Sequence, residues 1–244
     1  MKNSAGKFSG FSKEIFSFFA DLENHNNTEW FHKNRERYQN FVVQPTKTFI
    51  TEMQPFLNRL NPSIRTEPKF NETIMRINKD MRFAKGDPYR NYWLVHFGRF
   101  KLDSEFFLYF EAGSAYMGIF INRSKEEKHY FRQNLEKYEN EIRQVCAKYK
   151  INGSYSFYYF AKMEPTKLIA KFDADIHIDK FYKHEMFLLQ SIKPISQKIL
   201  FSRNIIIEMI RMISRMYPLY CFAFSPQPLK ELQKFEDEFG VLEL

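Results

Sequence analysis

Two short runs decide the fold: EFFLYFEA at residues 105–112 and AYMGIFIN at residues 115–122. The first is strongly aromatic and the second aromatic and β-branched; both are too short for helices and lie on either side of Gly113. Runs of this kind read as strands of a mostly antiparallel sheet. ETIMRI (72–77) and NYWLVHF (91–97) precede them with the same character. SYSFYYFAK (154–162), TKLIAKFDADIHI (166–178) and EMFLLQSIKPI (185–195) follow as further strands.

Outward from the strands, the apolar period becomes helical. Ile15, Phe18, Phe19 and Leu22 recur at i, i+3, i+4 and i+7, with Ser12 as N-cap. Thr28 caps a second helix whose buried face is Phe31, Tyr38 and Phe41. Pro45 opens a third, with Phe49, Met53 and Phe56 or Leu57 inward, and Pro55 ends or kinks it. Ser124 and Glu127 form a capping box for the clearest helix, which carries Phe131, Leu135, Tyr138, Ile142, Val145 and Tyr149. A long apolar helix runs to Tyr217 and stops at Pro218, and a polar one spans Leu229 to Phe239. The expectation is one α+β domain over residues 1–244, a sheet with helices packed around it and a short flexible N-terminus of about nine residues.

The chain has 28 Phe and 14 Tyr among 244 residues, so its core is expected to be largely aromatic. A formal charge of +8 favours acidic partners, but no block of five consecutive cations exists. That dispersion favours a compact anion over a long nucleic acid. Cys146 and Cys221 lack CxxC spacing and suit a reducing cytoplasm as buried small hydrophobes. MKNSAGKFSGFSKE has no signal-peptide apolar run, and no stretch reaches the ~18 apolar residues of a membrane helix, so no membrane association is expected.

RINKDMRFAKGDPYRN, residues 76–91, concentrates Arg76, Lys79, Arg82, Lys85 and Arg90 around Asp80 and Asp87. A loop between strands that gathers guanidinium groups suits a phosphate or carboxylate. Arg76, Arg82, Lys85, Tyr89 and Arg90 are the candidate ligand-binding residues, with Asp80 as orienter or general base. The competing reading is an ion-paired, solvated loop. A second block, HNNTEWF at residues 25–31, places polar side chains before a helix N-terminus, where free N–H groups favour an anion. Its plainer reading has Thr28 capping, Asn26 and Asn27 turning and Trp30 and Phe31 packing.

The two blocks together resemble domain-of-unknown-function family 2461. Asn26, Asn27, Glu29, Trp30, Phe31, Tyr38 and Pro45 match its opening block. Arg76, Ile77, Asp80, Arg82, Phe83, Lys85, Pro88, Tyr89 and Arg90 match its second. A weaker third block matches at Phe172, Asp173, Ala174, Asp175, Lys183 and Phe187, with Ile176-His177 where the family has His-Pro. The resemblance implies an intracellular α+β protein and no particular activity.

In FDADIHID (172–179), Asp173, Asp175, His177 and Asp179 alternate and would share one face of a strand. Carboxylates with imidazole suit a divalent metal. An extended strand spaces them too widely to close on one ion, so an amphipathic strand with Ala174, Ile176 and Ile178 inward is preferred and no metal is expected. His96 reads as a hydrogen-bonded core residue. No Walker A loop, GxGxxG after a strand or GxSxG elbow occurs, and no cofactor is called for. The functional expectation is a basic, aromatic pocket for a small anion, a class that includes phosphorylated ligands. The alternative is a non-catalytic module whose basic face contacts nucleic acid or an acidic protein.

Overall fold

The structure is a computed structural model that describes residues 7–83, 85–161 and 164–240. Helices α1 (Glu14–Asn24), α2 (Thr28–Lys33) and α3 (Arg35–Tyr38) open the chain. A π-helical turn at Gln39–Val43 leads into α4 (Gln44–Leu60). Strands β1 (Trp93–Phe97), β2 (Glu105–Glu111) and β3 (Ser114–Asn122) precede α5 (Phe131–Lys137) and α6 (Glu139–Lys148). Then come β4 (Tyr155–Ala161), β5 (Glu164–Ile169), α7 (Ala174–His177), α8 (Asp179–Lys183) and β6 (Met186–Ser191). Helices α9 (Gln197–Leu200), α10 (Asn204–Phe224) and α11 (Pro228–Phe239) follow. The strands form an antiparallel sheet in the order β1-β2-β3-β6-β4-β5, so the chain has the α+β class its sequence implies.

Contacts divide the chain into two compact units. One gathers the residues up to Phe97 with Leu108–Tyr116 and Pro194–Met209. The other gathers Gly98–Phe107, Met117–Lys193 and the residues from Ile210 onward.

The first unit has an aromatic core. Phe11 packs edge-on against Phe110 at 4.8 Å between ring centroids, and Phe8 against Phe49 at 5.5 Å. Trp93 is fully buried and donates from Nε1 to Thr46 Oγ1 at 2.9 Å. Thr46 donates in turn to the Val42 carbonyl at 2.7 Å, so both buried polar groups are satisfied. Residues 1–6, the larger part of the expected flexible N-terminus, lie outside the described residues, whereas Phe8 is buried.

Several local expectations are corrected here. Ser12 does not cap α1; Lys13 holds that position without a side-chain bond. Asn27, not Thr28, caps α2 by accepting from the Trp30 N–H at 2.9 Å, as an extended residue just before the first turn does. Pro55 does not end α4, which continues to Leu60. The carbonyl it leaves without an intrahelical donor belongs to exposed Thr51, where water can reach it. ETIMRI makes no strand: Ile74 forms only isolated bridges with Phe70 and Val95.

In the second unit, β6 pairs with β3 through Ile119–Leu189 and with β4 through Phe157–Leu189, and β4 pairs with β5. One face of these strands is core. Phe157, Phe172, Phe181 and Phe187 are all fully buried, and Phe181 stacks on Phe187 at 4.7 Å. The capping box expected at Ser124 is absent, because the Ser124 hydroxyl meets His129 Nδ1 at 3.1 Å and the helix begins at Phe131. That helix also breaks at Tyr138, between α5 and α6. Pro218 lies inside α10. Met216, Tyr217, Leu219, Tyr220, Cys221 and Phe222 are buried around it. Burying each large side chain contributes about 1.5–3 kcal/mol, which together exceeds the ~3 kcal/mol that an interior proline costs.

Candidate functional site

Residues 76–90 form a stalked loop within the first unit. At its stem, the Arg90 N–H donates to the Ile77 carbonyl at 2.8 Å and the Lys79 N–H to the Pro88 carbonyl at 2.8 Å. Asn78 and Tyr89 form the antiparallel bridge between the two sides. The turn at the far end includes Gly86 at φ +84°, a conformation that strains any residue with a Cβ.

The stem is anchored by the other motif block. Asn26 Nδ2 donates to the Tyr89 carbonyl at 3.0 Å, and Asn26 Oδ1 accepts from the Tyr89 N–H at 3.1 Å. One amide side chain thus satisfies both backbone groups of a buried residue. The Tyr89 ring lies flat on Phe31, 4.2 Å away with 15° between planes. Burial raises the Tyr89 phenol above its ordinary value. Tyr89, a candidate ligand-binding residue, is thus buried against Phe31 and held through its backbone. In the same block, Trp30 packs on Phe18 at 5.6 Å and on His25 at 6.0 Å. Asn27 already occupies the Trp30 N–H at the helix start.

Each arginine of the loop has an acceptor inside the protein. Arg90 Nη1 donates to the carbonyls of Arg76 at 2.8 Å and Asn78 at 2.6 Å. Arg76 donates from Nε at 3.1 Å and Nη2 at 3.2 Å to Asn71 when that amide presents its oxygen. Arg82 forks onto Asp80, with Nε to Oδ1 at 2.9 Å and Nη2 to Oδ2 at 2.7 Å. The Arg82 hydrogen bonds hold the Asp80 carboxyl below its ordinary value, which weakens it as a base. At the tip Arg82 is 80% exposed and Phe83 86% exposed, and the guanidinium sits 5.5 Å from the centroid of the Phe83 ring. Lys85 and Met81 are exposed beside them.

The profile of the conserved hypothetical protein family DUF2461 matches residues 14–222. The chain belongs to that family. Comparison with curated proteins finds no match, and comparison with solved structures finds none. The two blocks meet in this DUF2461 chain at Asn26, Phe31 and Tyr89, with Asn26 and Tyr89 63 residues apart in sequence. Glu23 and Asn91 add a longer contact at 3.5 Å.

The third block has a different part. FDADIHID is not a strand, because β5 ends at Ile169. Asp173 caps α7 by accepting from the Asp175 N–H at 2.9 Å, and its own N–H donates to His177 Nδ1 at 3.1 Å. The coil of α7 also turns Ile176 outward while Ala174 and Ile178 stay buried. Asp179 binds Lys180 at 2.6 Å and Lys183 at 2.8 Å, which pull its carboxyl down to about 2. Among the described residues no group of three or more His, Cys, Asp or Glu is arranged to hold a metal. Cys146 and Cys221 are free, and burial raises both thiols above their ordinary value.

The sequence reading missed one ionic centre in the second unit. Arg99 forks onto Asp103 with Nε to Oδ2 at 2.8 Å and Nη2 to Oδ1 at 2.8 Å, and also donates to the carbonyls of Phe224 at 3.0 Å and Lys128 at 2.8 Å. Tyr220 approaches the same carboxylate at 3.4 Å. The i, i+4 spacing of Arg99 and Asp103 was visible, but nothing in it distinguishes a buried pair from a solvated one.

Proposed function

We propose that this DUF2461 chain is a non-catalytic binding protein that engages an anionic partner through the loop at residues 76–90. The observation that carries the reading is the loop tip, where Arg82 and Phe83 project together with 80% and 86% exposure. An apolar ring beside Arg82, with Lys85 exposed nearby, suits the surface of an acidic macromolecule, where the ring gives contact area and the cations give orientation. The Asn26–Tyr89 anchor keeps the stem fixed, so less ordering is needed on binding. The paired Asp80 supports a role in orienting Arg82 over one in catalysis.

A compact anion at the stem is the second reading, favoured by Arg90 and Arg76, whose guanidinium groups are pre-oriented by backbone and amide acceptors. Two buried free thiols and the lack, among the described residues, of a helix long and apolar enough to cross a membrane accord with a cytoplasmic location.

The readings separate in one titration. Duplex and single-stranded oligonucleotides are followed by fluorescence at two salt concentrations, beside thermal shifts with phosphate-bearing metabolites. The interaction reading expects duplex binding that weakens with salt and is lost in Arg82→Glu/Lys85→Glu. A metabolite shift that is lost in Arg90→Ala, without duplex binding, transfers the assignment to the stem.

A further inference from the structure

The second unit has a sheet face whose makeup differs from that of its core face. Cross-strand register assigns the side chains: Phe120 lies opposite Leu188, Leu188 opposite Tyr158, and Tyr158 opposite Lys167. Neighbours directly opposite in an antiparallel pair point to the same side, so these four residues form one row across β3, β6, β4 and β5. The adjoining row is Gly118, Gln190 and Ser156. The intervening positions, Ile119, Leu189 and Phe157, are fully buried on the opposite face.

Phe120, Tyr158, Phe160 and Gln190 are half-buried, and Lys167 is exposed. The rings of Phe120 and Phe160 meet edge-on at 5.5 Å. Gln190 Nε2 donates to Tyr158 Oη at 3.3 Å, which leaves the Gln190 carbonyl oxygen to accept and the Tyr158 hydroxyl to donate outward. Lys167 Nζ lies 5.4 Å from the centroid of the Tyr158 ring. A Cβ at Gly118 would collide with the Leu189 carbonyl, so this position of the second row must stay bare. Ser156 is buried and donates to the Ala170 carbonyl at 2.7 Å. The outcome is a low floor of Gly118, Gln190 and Ser156 beside the rings of Phe120 and Tyr158, which flank a buried Leu188.

We infer that this face is a stacking platform for single-stranded nucleic acid. Half-buried aromatic rings on one face of an antiparallel sheet leave part of their π-surface for unpaired bases to cover, whatever their identity. The Gln190–Tyr158 pair supplies one acceptor and one donor beside those surfaces, enough to meet a base edge. Lys167 at the outer strand supplies one cation for a phosphate of a short single strand. A protein partner fits less well, because the rings are only partly exposed and polar groups interrupt them. Duplex is excluded from stacking, since its bases already stack on one another. The platform uses none of the residues of the loop at 76–90 and stands without the assignment made for that loop.

The test is fluorescence anisotropy with labelled dT12, U12 and a 12-base-pair duplex at low and physiological salt. Five proteins are compared: the unaltered chain, Tyr158→Ala, Tyr158→Trp, Lys167→Glu and the loop variant Arg82→Glu/Lys85→Glu. The expected result is single-strand binding that falls at least about tenfold in Tyr158→Ala. Lys167→Glu, at an exposed position that leaves the fold intact, is expected to lose affinity and to flatten the salt dependence. Tyr158→Trp restores binding if stacking is the cause. Single-strand affinity that is unchanged in both Tyr158→Ala and Lys167→Glu overturns the platform, as does failure of the unaltered chain to bind single strands at low salt. Loss confined to the loop variant also overturns it and credits the loop. Loss of duplex binding alone in that variant, with single-strand binding kept, supports the platform.

Discussion

Arg82–Asp80 and Arg99–Asp103 make nearly the same fork. In each, Nε and Nη2 reach the two carboxylate oxygens, at 2.9 and 2.7 Å in the first and at 2.8 and 2.8 Å in the second. The surroundings differ. The side chains are 80% and 49% exposed in the first pair, but 13% and 1% in the second. Around the buried pair, the carbonyls of Phe224 and Lys128 and the Tyr220 hydroxyl complete the set of partners, and the Phe100 ring lies 5.0 Å from the guanidinium carbon. Identical bonds therefore serve different ends. In the interior, each charge needs the other because no water replaces it. At the surface, water replaces either partner at little cost, and the pairing mainly sets where Arg82 points.

The sharpest way to break this comparison is to remove one carboxylate from each pair. Asp103→Asn is expected to destabilise the protein by about 3–5 kcal/mol, because Arg99 is left buried without a counter-charge. The urea midpoint reads the effect. A loss under about 1 kcal/mol would mean that water enters around Arg99. Asn26→Ala comes next. It removes both bonds to the Tyr89 backbone and is expected to cost about 1–3 kcal/mol, with faster proteolysis inside the loop at 76–90. Unchanged cleavage would show that the Phe31–Tyr89 stack alone holds the stem.

Asp80→Asn is expected to leave the urea midpoint unchanged, since both partners are solvated; a clear shift would contradict the contrast between the two forks. The smallest effect is electrostatic. Asp80 has a folded-state value below its ordinary one, so its contribution to stability is present above the unfolded value and is lost as pH falls through the folded value. Asp179 follows the same sign, with a midpoint of about 2. Carboxyl carbon shifts measured against pH are expected to give low midpoints for both. One molar salt should move them back toward the ordinary value, because solvated pairs are screened. A salt-insensitive Asp80 would indicate a pair far less exposed than the loop tip implies.

Local signals carried much of the fold. The aromatic runs from Trp93 to Asn122 and in β4 and β6 became strands, because alternation and β-branching express the pleat directly. ETIMRI has β-branched residues too but found only the isolated bridges of Ile74, since pairing depends on a partner at the right register. Sequence alone suggests a stop or a kink at Pro55 and a stop at Pro218, yet both helices continue, one where water covers the lost bond and one where packing outweighs it. The sequence also marked the loop at 76–90 as dense in cations. It could not show that Tyr89 faces inward, since a tyrosine after proline has no inherent side.

The sequence by itself determined the α+β class, the aromatic core, the excess of positive charge and membership in DUF2461 over residues 14–222. These follow from composition, period and local pattern, which act over a few residues. The tertiary structure decided which charges are buried, which rings are buried anchors and which stay partly exposed, and that Asn26 closes on Tyr89 across the intervening chain. Those outcomes depend on solvent exposure and on partners far apart in sequence. The same Arg–Asp or Tyr can serve either end until folding sets whether water or protein surrounds it.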